Sequence, residues 1–253
     1  MDNRFSMKGR NTVVTGATRG IGLAIARGFL ESGATVTLCG RKQEGLDTAL
    51  TDLSDHASSV LGVAAHVGKV DDVERLIAAA EQRFGPVTTL VNNAGTNPYH
   101  GPIAESEDWA WDKTMDVNLR GPYLLSRRVG VKMMAAGGGS IVNISSVAGL
   151  EASSGQGIYS VTKAGLIMLT KVMAREMGAA GVRVNCICPG VIRTQLSRAL
   201  WDDEKTAKAW ISRKALGRVG EVDELVGAAI YFASEASSFT TGAVLQVDGG
   251  MVI

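Results

Sequence analysis

Thr12-Val13-Val14-Thr15-Gly16-Ala17-Thr18-Arg19-Gly20-Ile21-Gly22 is the stretch that decides the fold. An apolar, β-branched run passes into three glycines and then into residues 21–30, where apolar positions recur with helical spacing. Gly16 can make the tight turn off the strand. Gly20 has no side chain to keep a phosphate from the N–H groups at the helix start, and Gly22 lets helix and strand pack closely. Thr18, Arg19 and Ile21 fill the rest of the loop. The spacing is G-x-x-x-G-x-G, and three glycines alone also fit a turn that binds nothing. Their place between a first strand and the helix it feeds argues for a phosphate-binding loop.

The same alternation continues outward. Residues 34–38, 60–65, 87–91, 140–144, 182–187 and 243–247 read as further strands. Helical pattern covers a polar stretch through Leu46, Leu50 and Leu53, then residues 70–84, 157–177 and 222–232. It also covers about 108–134, where Gly121-Pro122 predicts a bend. Seven apolar strands mostly separated by helices predict an α/β fold, a Rossmann-type doubly wound sheet of seven mainly parallel strands with helices on both faces. No linker or second composition zone interrupts the chain, so one domain over residues 1–253 is expected. Residues 193–214 depart from the alternation. They carry Trp201 and Trp210 in a charged, helix-prone stretch and read as a substrate lid beyond the strand ends, where such sheets bind ligands.

Of 253 residues, 45% are hydrophobic and 20% charged, with a formal net charge of +1. That balance gives no reason to expect nucleic acid or an anionic membrane as a partner. No apolar run approaches the ~18 residues of a transmembrane helix, and the first ten residues lack the apolar core of a secretory signal. A cytoplasmic protein is expected. Glycine, at 31 residues or about 12%, exceeds the usual ~7%, consistent with backbone that approaches a ligand closely. Cys39, Cys186 and Cys188 are too few for a disulfide framework. Cys186 and Cys188 would share one side of a strand, with no His/Cys cluster nearby to complete a metal site, so no metal is expected.

The end of the second strand bears on the cofactor. A carboxylate there would bind a ribose 2′-hydroxyl and repel a 2′-phosphate. The chain has Cys39-Gly40-Arg41-Lys42 instead. Arg41, with Arg19 approaching from the glycine loop, suits a phosphate, so NADP(H) is expected rather than NAD. The plainer reading makes Arg41 and Lys42 solvated charges at a helix start. Tyr159-Ser160-Val161-Thr162-Lys163 sets Tyr and Lys at i and i+4, in contact on one helix face. A phenol titrates near ~10, and an adjacent ammonium stabilises its phenolate, making a general acid/base for an alcohol–ketone couple. Ser146 ends the fifth strand, where its hydroxyl could hold a substrate carbonyl or simply cap the strand end.

Together these residues resemble the short-chain dehydrogenase/reductase family, in its single-domain form of about this length. Besides the glycine loop, Asn92-Asn93-Ala94-Gly95 matches the family's NNAG element, bringing Asn93, Ala94 and Gly95 to the cofactor. Asn118 matches the Asn that supports a water-linked proton path to the lysine, and Ser146, Tyr159 and Lys163 match the rest of the catalytic set. Pro189, Gly190, Ile192 and Thr194 fall in a segment resembling the P-G-x-x-x-T that covers the nicotinamide, and Val247-Asp248-Gly249-Gly250 resembles the family's ending. One departure stands out. Where the family's third strand usually ends in an adenine-holding Asp, this chain has His66-Val67, with His66 and Val67 as the expected contacts. The resemblance implies reversible, NADP(H)-dependent reduction of a small-molecule ketone or other carbonyl to a secondary alcohol, by a homotetramer. It extends both to NADPH-dependent carbonyl reductases and to 3-oxoacyl carrier-protein reductases. NAD-linked alcohol oxidation would want an acid near Gly40, and a non-catalytic NADP sensor would want a damaged catalytic set; neither is found.

Overall fold

The computed structural model describes residues 4–152 and 154–253. Seven strands form one sheet: β1 (Asn11–Thr15), β2 (Thr35–Gly40), β3 (Val60–Ala64), β4 (Thr89–Asn92), β5 (Gly139–Ile144), β6 (Val182–Pro189) and β7 (Val244–Val247). Their order is β3-β2-β1-β4-β5-β6-β7, and every pairing is parallel. The helices are α1 (Gly20–Glu31), α2 (Gln43–Asp52), α3 (Val70–Phe84), α4 (Asp108–Met115), α5 (Gly121–Ala135), α6 (Gly157–Met177), α7 (Glu204–Ile211) and α8 (Val226–Ala233).

Adjacent strand residues serve opposite faces, as a pleat requires. Val14, Val91, Val142 and Ile187 pack with Ile25 and Phe29 of α1, Leu46 of α2 and Phe232 of α8. Val13, Leu90, Ile141 and Val184, each an odd number of residues away on the same strand, pack with Leu76 of α3, Leu125 and Val129 of α5 and Met173 of α6. Two apolar layers on one sheet explain why the strands read as continuous apolar runs rather than alternating ones. The chain reverses its direction of travel across the sheet between β1 and β4, the switch point at which doubly wound sheets open a ligand crevice at the strands' carboxyl ends.

The long helical stretch is interrupted ahead of Gly121-Pro122: α4 runs into a π-helical turn over Asp116–Arg120, and Pro122 sits in the first turn of α5. Proline is well placed there, where its missing N–H is least needed. The irregularity falls one turn earlier, around Asn118, because the nitrogen that would close an α-helical bond onto the Asn118 carbonyl is that of Pro122 and carries no hydrogen.

Residues 193–214 lie beyond the end of β6. They form a single 3₁₀ turn at Arg198–Leu200, then α7, whose N-terminus is capped by Asp203 accepting the Thr206 N–H at 2.8 Å. No helix among the described residues is long and apolar enough to cross a membrane.

Candidate active site

The glycine loop is clasped by the end of β4. The Thr15 hydroxyl accepts the N–H groups of Asn93 and Ala94, each at 3.0 Å, and the Asn93 side-chain amide donates to the carbonyls of Thr15 and Gly16 at 2.9 and 3.0 Å. A side chain at Gly16, where φ is +63°, would meet the Ala94 Cα at 2.8 Å, so the loop tolerates nothing larger. Asn93 therefore works as a brace, its amide nitrogen donating twice to the loop. The first helical N–H groups of α1 have neither a side-chain cap nor an acid in the first turn, which leaves them for an anion.

Above the loop lies a cavity of about 750 Å³. Gly16, Thr18, Arg19, Gly20, Ile21, Arg41, His66, Val67, Asn93, Ala94, Gly95 and Thr194, all expected at a cofactor, line it. Arg193 adds a third guanidinium, and no Asp or Glu is among the lining residues. Of the other residues expected at the cofactor, Gly22 lies behind the loop against Gly16 and Asn93, Pro189 ends β6, and Ile192 packs into the core, none of them lining the cavity. A cradle floored by glycine and ringed by three arginines fits an anionic dinucleotide. His66 departs from the family in polarity as well as identity. Its Nδ1 accepts the Gly68 N–H at 3.1 Å, which leaves the ring's own N–H on Nε2. A donor is offered where a carboxylate would offer an acceptor. Its backbone N–H is held by Asp72 at 2.8 Å.

A second cavity, of about 90 Å³, adjoins the first, sharing Asn97 and Leu196 as walls. Ser146, Tyr159 and Gly190 line it, with Gln156, Trp210, and Asn97 and His100 of the loop after β4. Ser146 caps a short 3₁₀ turn, its hydroxyl accepting the Ala148 N–H at 3.1 Å, so it is a strand-end cap and also a cavity hydroxyl. Tyr159 and Lys163 lie one turn apart on α6, with the ammonium over the Tyr159 ring, 5.5 Å from its centre. The Lys163 Nζ donates to the Ile144 carbonyl at 2.8 Å, while the Lys163 carbonyl accepts the Ser145 hydroxyl at 2.8 Å. Asn118 is fully buried; its side chain accepts the Thr96 N–H and donates to the Thr96 carbonyl, both at 2.8 Å, and reaches Thr162 at 3.2 Å.

Burial sets the electrostatics. It pushes the Tyr159 phenol up to about 12, against the opposing pull of the Ser146 hydroxyl. Burial likewise brings the Lys163 ammonium down to about 8. The lowering of the tyrosine expected from its ammonium neighbour is not found: the shift is upward, set by burial, and the one opposing pull is that of Ser146.

Several positioning groups carry no local signal in the sequence: Thr15, Ser145, Gln156 and Lys214. Lys214, 6% exposed, donates to the Val191 carbonyl at 3.0 Å and ties the end of residues 193–214 to the segment after β6. Cys39, Cys186 and Cys188 are buried thiols, and no metal-binding cluster occurs among the described residues.

An all-parallel sheet of this order, with a glycine loop at its switch point and serine, tyrosine and lysine beside it, defines the class: the chain belongs to the short-chain dehydrogenase/reductase family. The family model described as enoyl-(acyl carrier protein) reductase matches residues 16–252. Among individual proteins, human dehydrogenase/reductase SDR family member 4 is 39% identical over 250 residues, covering 99% of this chain and 90% of the relative. The Caenorhabditis elegans protein of the same name is 38% identical over 248 residues, covering 96% of this chain and 95% of that protein. The crystal structure of a gluconate 5-dehydrogenase from Burkholderia cenocepacia, in complex with NADP and tartrate, superimposes with a TM-score of 0.93 at 38% identity, covering 98% of this chain and 97% of that one.

Proposed function

We propose that the protein is an NADP(H)-dependent reductase that converts a small-molecule ketone or other carbonyl to a secondary alcohol, reversibly, with Ser146, Tyr159, Lys163 and Asn118 as its catalytic set. The observation that carries this reading is the pairing of Ser146 and Tyr159 on one small cavity that opens beside the arginine-ringed cradle. NADPH, when bound, supplies the hydride. The Ser146 hydroxyl donates to the substrate carbonyl and orients it. Tyr159, held protonated through neutral pH, gives its proton to the oxygen as charge develops there. Lys163 stands beside the phenol to balance the charge it leaves and would hold the nicotinamide ribose hydroxyls, and Asn118, bonded to Thr162 next to it on α6, would anchor the water that links the lysine to solvent. Arg41 and Arg19 would hold the 2′-phosphate, the N-terminus of α1 the pyrophosphate, His66 and Val67 the adenine, and residues 189–194 the nicotinamide end. Residues 193–214 would act as the lid.

The absence of any acid among the lining residues of the cradle favours NADP(H) over NAD(H), and the NADP named in the Burkholderia structure agrees. Apolar side chains left exposed on the long helices, Trp109, Val161, Met168 and Val172, and on β7, Leu245, favour the homotetramer. A second reading, reduction of a 3-oxoacyl thioester on a carrier protein, is favoured by the description of the matching family model. Following NADPH oxidation with a simple ketone against acetoacetyl thioesters separates the two. Tyr159→Phe should lower turnover of the accepted carbonyl by about 10²–10⁴-fold while NADPH still binds; full turnover in that variant would refute the mechanism.

A further inference from the structure

Gln156 occupies the residue before α6, where a serine, threonine, aspartate or asparagine ordinarily turns back to cap the helix. Its side chain makes no such bond. The backbone around it is engaged: the Gln156 carbonyl accepts the Ser160 N–H at 2.8 Å, the residue pairs with Gly101 in a parallel bridge, and the Gly155 carbonyl accepts the Gly101 N–H at 3.0 Å. The amide is another matter. Gln156 is only 8% exposed, and among the described residues nothing hydrogen-bonds its side chain. A primary amide offers two donors and a two-lone-pair acceptor, and buried polar groups are ordinarily satisfied. This one lines the same small cavity as Ser146 and Tyr159, so the partner it lacks is one that enters that cavity.

The other walls restrict what that partner is. No Lys, Arg, Asp or Glu lines the cavity; besides Ser146, Gln156 and Tyr159 its polar walls are Asn97, His100 and Ser197. A carboxylate or phosphate would lose its hydration there and meet neither an ammonium nor a guanidinium, whereas a hydroxyl or carbonyl oxygen matches the amide. Size restricts it too. A cavity of roughly 150 Å³ holds benzene, so about 90 Å³ takes only a small body beyond the reacting carbonyl.

We propose that Gln156 determines specificity, by pairing its amide with a second, uncharged oxygen beside the reacting carbonyl of a small neutral substrate such as an α-hydroxyketone. This rests on the carbonyl-reduction reading above. Butanone, hydroxyacetone and pyruvate test it, because the first two differ only by methyl for hydroxyl and the third replaces the hydroxymethyl by a carboxylate. In Gln156→Leu the kcat/KM ratio of hydroxyacetone to butanone should fall about tenfold to hundredfold relative to the unsubstituted protein. The hydroxyl's inductive activation of the carbonyl is the same in both proteins and cancels. Gln156→Glu, which keeps the shape and an acceptor, should retain the preference for hydroxyacetone and reject pyruvate further.

A ratio unmoved within about twofold in Gln156→Leu, or pyruvate as the best substrate, overturns the inference and leaves the reductase reading standing. If none of the three is reduced with NADPH, that reading falls for small ketones, and saturation-transfer NMR with NADP present decides the role of Gln156. Stronger binding of 1,2-propanediol than of 2-butanol, lost in Gln156→Leu, upholds it; equal binding of the two overturns it.

Discussion

Lys163 is 3% exposed, and its ammonium is brought down to about 8 by burial, from 10.5. The sign of the consequence follows from linkage. Between about pH 8 and 10.5 the unfolded chain keeps a proton that folded Lys163 has shed, so stability rises with pH across that window. The full effect is roughly 3 kcal/mol, and Lys163→Met should lack it. Urea midpoints of both proteins against pH check it: a gap between the two curves that stays constant from pH 8 to 10.5 would refute the shift. Above about pH 10 the trend reverses, because folded Tyr159 holds its proton up to about 12 and the unfolded phenol does not. At the cofactor end, Arg41 is the residue whose charge is easiest to invert. Arg41→Asp should weaken NADPH by about tenfold to hundredfold and improve NADH, read as a reversal in the ratio of their dissociation constants. Unchanged NADPH affinity would remove Arg41 from the site.

At the scale of elements, the π-helical turn between α4 and α5 decides where Asn118 points. Pro122→Ala restores an N–H that can close on the Asn118 carbonyl. We expect that variant to keep its thermal midpoint within a few degrees and to lose about tenfold in kcat, with cofactor affinity unchanged; equal kcat would make the turn a packing feature alone. This is also where reading the sequence ran short. Gly121-Pro122 announces an interruption, but whether the helix bends or widens depends on what the next element demands of it, here Thr96 and Thr162 gripping the Asn118 amide. Strands, helices and the glycine loop were legible because each is written in neighbouring residues through period and turn chemistry. Gln156 and Lys214 were not. A glutamine at a helix start looks like any polar residue until the fold shows that nothing in the protein answers its amide, and Lys214 looks solvated until Val191 is brought against it. The tyrosine–lysine pair was legible as a contact, yet the direction of its titration was set by burial, which spacing does not report.

At the scale of the whole molecule, the sheet order gathers the ends of β1, β2, β4, β5 and β6 on one edge, so residues as distant as Gly16 and Thr194 share a cavity. The same topology leaves Val161, Met168 and Val172 in one exposed stripe along α6. Met168→Glu should shift the sedimentation coefficient of the proposed tetramer toward smaller species; an unaltered coefficient would place subunit contacts elsewhere. The clasp of Thr15 and Asn93 on the glycine loop has a kinetic meaning. The loop's shape is fixed by the protein's own hydrogen bonds, so the dinucleotide meets a finished surface, while the small cavity shares the walls Asn97 and Leu196 with the larger one, so that a bound dinucleotide would form part of its boundary. Binding should therefore be ordered, with the nucleotide arriving first and leaving last. Product inhibition would record it: oxidised nucleotide competing with reduced nucleotide, and the alcohol competing with neither.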